Sequence, residues 1–111
     1  MGKNYLHYAL ILLFFSFSTA QSQDFLVKGK IVDAATGAPI EAATIYAETL
    51  KDSTLITYTI TNAEGIFALE GKTAYKKARL AFSSNGFTPQ AREVTLEPVM
   101  EIGTIKMEVS R

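Results

Sequence analysis

The side chains able to do chemistry are few, and most of them stand beside turn formers. Tyr46, Tyr58 and Tyr75 carry ring faces suited to the apolar side of a pyranose, and they form a glycan platform if they converge on one exposed surface. Ser83-Ser84 offers hydroxyls, but a serine attacks only when a nearby base takes its proton, and the chain has no histidine beyond His7. Asp33, Glu41, Asn62 and Glu64 supply oxygens in or beside turns without the alternating spacing of a calcium loop, so they read as turn caps. Lys76-Lys77-Ala78-Arg79 is a short basic cluster that reads as a solvated strand entrance. No catalytic residue, metal site or cofactor is expected.

The start of the chain sharpens that inventory. Lys3 and the amino terminus are basic, Ala9 to Phe15 is an unbroken apolar run extended by Phe17, and Ser18-Thr19-Ala20 places small residues where signal peptidase needs them. Residues 1–20 therefore read as a secretory signal peptide, an apolar helix removed on export. A bilayer span needs about 20 apolar residues, and Ser16, Ser18 and Thr19 close this run early. Cleavage after Ala20 removes His7 and Lys3, which takes the formal net charge from zero to −1. With no cysteine anywhere in the chain, the exported part has neither thiolate nor imidazole. That excludes serine-histidine, cysteine-histidine and zinc-hydroxide chemistry of the usual kinds. The even balance of 11 basic and 11 acidic groups lacks the footprint of a nucleic-acid binder. Membrane contact is confined to the signal peptide before cleavage.

A chain of 111 residues, 48% apolar and 20% charged, holds one globular domain. After the signal, short β-rich runs alternate with turn signals, and no segment carries a helical stripe. Phe25 to Asp33 alternates Phe25, Val27, Gly29 and Ile31 against Lys28 and Lys30. Asp33 to Pro39 is a turn, with Asp33 accepting main-chain N–H groups, Gly37 free to take positive φ and Pro39 fixing the exit. Ala43, Ile45 and Ala47 alternate with Thr44, Tyr46 and Glu48, and Leu55 to Thr61 continues in β-branched style after a break at Lys51-Asp52-Ser53. Asn62-Ala63-Glu64-Gly65 reads as the tight turn of a hairpin into Ile66 to Leu69, with Phe67 and Leu69 as core. Glu70 to Lys77 reads as a polar loop, Leu80, Phe82 and Ser84 as a strand, and Asn85-Gly86 as a turn behind which Phe87 folds onto the core. Pro89 excludes a central strand at that point. Arg92 to Leu96 and Ile102 to Val109 complete about seven strands, the pattern of an all-β sandwich.

The ordered series Gly29-Lys30-Ile31-Val32-Asp33, Thr36-Gly37-Ala38-Pro39-Ile40, Ala43-Thr44-Ile45, Thr61 to Leu69 and Leu80 to Phe87 resembles the carboxypeptidase regulatory-like domain. The resemblance covers about Leu26 to Leu96 and implies an immunoglobulin-like, transthyretin-like sandwich. Asn62 stands where that family more often has Asp, and Phe87 where it more often has Tyr. Both changes keep the local structure, since Asn closes the same turn and Phe keeps the ring.

The resemblance further implies an accessory module without catalysis, because in metallocarboxypeptidases the zinc ligands lie outside it. It also implies an envelope context: such domains commonly follow the signal peptide of TonB-dependent outer-membrane receptors, and Leu96-Glu97-Pro98 through Met107 is similar to the end of that extension. The expected organisation is a signal peptide at 1–20, a linker at 21–25, the sandwich at 26–97 and a C-terminal strand or tail at 98–111. The expected role is an exported contact module, periplasmic, outer-membrane associated or at the cell surface. Its expected partner is the outer-membrane receptor machinery, met through a peripheral strand that accepts a partner strand. A glycan ligand and an accessory role beside a separate carboxypeptidase chain are the alternatives. A third alternative is that the chain is a remnant or truncated front end of a longer receptor.

Overall fold

The computed structural model describes residues 22–110, so the signal-peptide reading of 1–20 lies outside the described residues. Every regular element among them is a strand: β1 (Gln23–Asp33), β2 (Thr44–Glu48), β3 (Leu55–Ile60), β4 (Ile66–Thr73), β5 (Lys77–Ser83), β6 (Gln90–Thr95) and β7 (Met100–Met107). They form two sheets, β4-β1-β7 and β3-β2-β5-β6. All pairings are antiparallel except that of β1 with β7, which is parallel. A parallel pair cannot be joined by a tight turn, and here the whole of the second sheet lies between the two strands in sequence.

The core lies between the sheets. Val27, Ile31, Ile45, Leu69, Leu80, Phe82 and Met107 are the largest fully buried side chains, and they come from five strands. Phe67 and Phe82 meet edge to face across the gap, with centroids 6.2 Å apart and planes at 61°. Ala43 and Ala47 flank Ile45 in β2 and are fully buried. Their small side chains leave room for the large ones opposite. Residue Gly71 of β4 serves the same end, because a Cβ there would lie 2.5 Å from the Phe25 ring and 2.7 Å from Cγ2 of Thr57.

The turn at Asn62–Gly65 forms as the sequence predicts, but it does not close a hairpin. Asn62 Oδ1 accepts the N–H groups of Glu64 and Ile66 at 3.0 and 2.9 Å, and Gly65 has φ of 75°. A Cβ at Gly65 would lie 2.4 Å from the carbonyl oxygen of Ile31, so the position is closed to other residues twice over. The strands it joins go to different sheets: β3 pairs with β2 and β4 with β1. Local turn chemistry specifies a reversal but not the ladder that follows. The real hairpins are β2–β3 and β5–β6.

Four boundaries also differ from the sequence reading. Glu70 to Thr73, read as loop, extends β4, because Gln23 to Leu26 of β1 supply ladder partners for Glu70 to Thr73. Gln23 to Phe25, read as linker, open β1, and Phe25 is buried. The last strand, read as Ile102 to Val109, runs as β7 from Met100 to Met107, and its Ile105 and Met107 are core residues. Ser84 falls one residue beyond β5.

The burial of Met107 gives a direct check. Met107→Ala is expected to lower stability by about 2–5 kcal/mol, read as a fall in the urea midpoint at unchanged slope. A midpoint like that of the parent chain would place β7 outside the cooperative unit.

Candidate functional site

The turn residues singled out in the sequence cluster at the strand ends. Asp33 Oδ1 accepts from Ala35 N at 2.8 Å and Thr36 N at 3.3 Å, Gly37 has φ of 75°, and Pro39 bridges to Val32. Gly86 has φ of 87°, and its carbonyl accepts from Ser110 N at 2.9 Å. Phe87 packs against the core and pairs with Val109. Among the described residues no three acidic side chains gather into a set that could hold a metal ion. Ser83 and Ser84 are half-buried at the end of β5.

The three tyrosines divide. Tyr46 of β2 stands directly opposite Tyr58 of β3 on the outer face of the four-stranded sheet. Tyr75 lies elsewhere, in the β4–β5 connection, lining a shallow hollow with Gln23, Phe25, Leu96 and Glu97. Main-chain bonding shows how the first two meet. Thr61 N donates to Ala43 O at 2.9 Å, and alternate residues of an antiparallel strand turn their main-chain groups to opposite sides. Thr57, Thr59 and Thr61 therefore bond β2, while Tyr58 and Ile60 turn theirs to the free edge. Tyr46 and Tyr58 are thus a non-hydrogen-bonded pair, the closer of the two kinds, with Cα atoms roughly 4.5 Å apart.

On the Thr44 side of that pair the outer face is uncharged. The register places Thr44, Ile60, Ala81, Ser83 and Ala91 beside it. Tyr58 is 63% exposed and Ile60 54%, whereas Ala81 beneath Tyr46 is only 6% exposed. Charge begins at the next outward position on the other side, where Arg79 donates to Glu48 Oε1 at 3.0 Å and to Ser53 Oγ at 3.2 Å. The outer face of the other sheet is different in kind. It carries Lys28, Lys30, Glu70, Glu101 and Lys106, and Lys72 pairs with Asp24 at 3.6 Å.

The connection from β2 to β3 sets the position of the exposed strand. Asp52 accepts the hydroxyls of Thr49 and Thr54, and Thr54 N donates to Thr49 Oγ1 at 3.0 Å. Thr49 N closes the loop onto Thr54 O at 2.9 Å. The Thr49-X-X-Asp52-X-Thr54 spacing is a local signal for such a turn, although in the sequence it reads only as a break. These bonds hold the Asp52 carboxyl below its ordinary value, the Thr49 hydroxyl being the largest cause and that of Thr54 the next.

A family model described as the carboxypeptidase regulatory-like domain matches residues 26–107. The chain belongs to that family. The match runs through β7 and so agrees with the sheet topology. No curated protein matches the sequence. Among solved structures, the domain is similar to the shaft pilin SpaA from Lactobacillus rhamnosus GG, with TM-score 0.58 and 12% identity over 80% of this chain and 48% of that one. It is similar to hydroxyquinol 1,2-dioxygenase from Pseudomonas putida DLL-E4, with TM-score 0.58 and 10% identity over 78% of this chain and 57% of that one. It is similar also to 5-hydroxyisourate hydrolase from Klebsiella pneumoniae, with TM-score 0.53 and 16% identity over 76% of this chain and 86% of that one. The chain thus spans about half the length of the pilin and the dioxygenase. At these identities the likeness shows a fold, the transthyretin-like sandwich, and nothing of activity.

The Asp52 turn yields a pH prediction. Its folded value lies below its unfolded one, so its contribution to stability is complete above the unfolded value and is lost as pH falls through the folded value. A carboxyl titration followed by NMR should find Asp52 below the usual aspartate range, and Thr49→Val or Thr54→Val should raise it.

Proposed function

We propose that this carboxypeptidase regulatory-like domain is an exported, non-catalytic accessory module that works by contact with another envelope protein, the outer-membrane receptor machinery being the partner class. The observation that carries the reading is the difference between its two outer faces. One is covered by solvated charge, while the other holds the half-buried Tyr46 beside the exposed Tyr58, with Thr44, Ile60, Ala81 and Ala91 on their uncharged side. Aromatic side chains on an uncharged surface are what the centre of a protein interface uses. The chemistry left after removal of the signal supports the same reading, since it supplies neither imidazole nor thiolate.

The tyrosine pair also favours a second reading, a glycan-binding face, because adjacent rings on an outer face can stack on a sugar. The two readings separate by experiment. Copurification from envelope fractions should recover a receptor component with the parent chain and lose it with Tyr46→Glu/Tyr58→Glu. Recovery of the chain alone would overturn the contact reading, and retention on a polysaccharide column that Tyr46→Ala/Tyr58→Ala abolishes would put the glycan reading in its place. Incubation with peptides and zinc should give no hydrolysis.

A further inference from the structure

The four edge strands of the sandwich are protected unequally. An exposed edge presents unpaired N–H and C=O groups to any other strand, and proteins blunt it with charge, proline, bulges or a covering side chain. On β4, Glu70 and Lys72 supply charge, and Thr57 Oγ1 caps the Glu70 carbonyl at 2.8 Å. On β7, Glu101 and Lys106 supply it, and Gln90 Nε2 caps the Lys106 carbonyl at 2.6 Å. Residue Glu93 of β6 is charged, and Arg92 turns inward, its guanidinium 5.9 Å from the centre of the Phe82 ring. Strand β3 has no charge, proline or glycine from Leu55 to Ile60. Its one irregularity, a register shift opposite Ala47 and Glu48, lies at the Leu55 end and leaves Thr57 to Ile60 regular. Leu55, Tyr58 and Ile60 are three of the seven exposed large apolar side chains among the described residues. The least protected edge is thus also the most apolar.

We propose that this edge is occupied by β3 of a second copy of the chain, running antiparallel about a two-fold axis beside Thr59. The sequence of the strand argues for a copy of itself rather than for a foreign strand. From Thr57 to Thr61 threonine stands at every odd position and an apolar residue at every even one, so a two-fold axis beside Thr59 sets threonine against threonine and Tyr58 against Ile60. Hydrogen-bonded pairs form only between residues whose main-chain groups face the shared edge, which here are Tyr58 and Ile60. Parity then requires even positions to meet even ones. Around Thr59, Tyr58 of each copy pairs with Ile60 of the other, and all eight free main-chain groups of these residues are used in four bonds. Aromatic and β-branched side chains meet on the outer face and threonines on the inner, both favourable cross-strand pairings. Self-pairing at β3 brings no charged side chains together. The resulting eight-stranded sheet carries two Tyr46–Tyr58 pairs on one continuous face, flanking the axis.

The inference goes beyond the contact reading above, which requires no second copy. It is tested on the full chain purified from the expressing host, by mass measurement across a concentration series. The mass is expected to rise toward twice that of one chain. Ile60→Lys, which places like charges beside the axis, is expected to weaken association by about tenfold or more. Tyr58→Pro removes an N–H that bonds nothing within the chain and is expected to abolish the dimer. Tyr58→Phe and Glu93→Lys should leave it unchanged. A single-chain mass at every concentration would overturn the proposal, and so would a dimer that survives Ile60→Lys. That variant alters an exposed side chain, so it decides the matter even where the proline variant does not fold.

Discussion

The structure depends on what its two sheets bury between them, because it has no cysteine to staple the sheets together. The contact that expresses this is Phe67 against Phe82, one ring from each sheet, meeting edge to face at the centre of the gap. Around it lie the aliphatic side chains of β1, β2, β4, β5 and β7. Space for them comes from small residues in defined places. Ala43 and Ala47 lower the floor beside Ile45, while Gly71 admits the Phe25 ring. From β6 the exposed Arg92 lays its guanidinium over the Phe82 ring, 5.9 Å from its centre, so an edge strand meets the core with a cation.

A two-sheet core requires the chain to change sheets, and each crossing leaves main-chain groups in need of partners. Polar side chains supply them. Thr61 shows the principle most clearly: its buried hydroxyl accepts from Ala43 N at 2.9 Å and donates to Ile40 O at 2.7 Å. That single hydroxyl ties the entry to β2 to the exit from β3. Asp33 and Asn62 do the same for the neighbouring crossings, each by accepting two N–H groups within its own turn. Oxygens that in a list of residues could suggest a metal site are therefore committed to holding the backbone, and they are held apart by the turns they close.

With the inner faces committed to the core, the outer faces are free to differ, and they do. Cross-strand register decides which side chains become neighbours. It sets Lys72 beside Asp24 and Lys28 beside Glu101 on one sheet, and Tyr46 beside Tyr58 on the other. The alternation within β3 couples two properties: the residues whose side chains decorate the uncharged face are the same ones whose main-chain groups point to the open edge. Face and edge thus form one continuous surface, which suits a module that acts by contact.

The residues by themselves determined the all-β class, the inward sides of β1, β2 and β5, the turns at Asp33, Asn62 and Asn85-Gly86, and the core roles of Phe67 and Leu69. These are legible because alternation and turn chemistry act over a few residues, and the order of those short signals also pointed to the family. Partnership was not legible. The Asn62–Gly65 turn looks like a hairpin from within, but whether its two strands bond each other depends on β1 and β2, which compete for them from elsewhere in the chain. The continuation of β4 to Thr73 depends likewise on Gln23 to Leu26 lying alongside. Tyr75 has the same chemistry as Tyr46 and Tyr58 and ends on another part of the surface, because position on a sheet is set by long-range pairing. Periodicity assigns a side chain to a face; only tertiary pairing assigns that face its neighbours, since main-chain bonds between strands join residues whose separation in sequence carries no local signal.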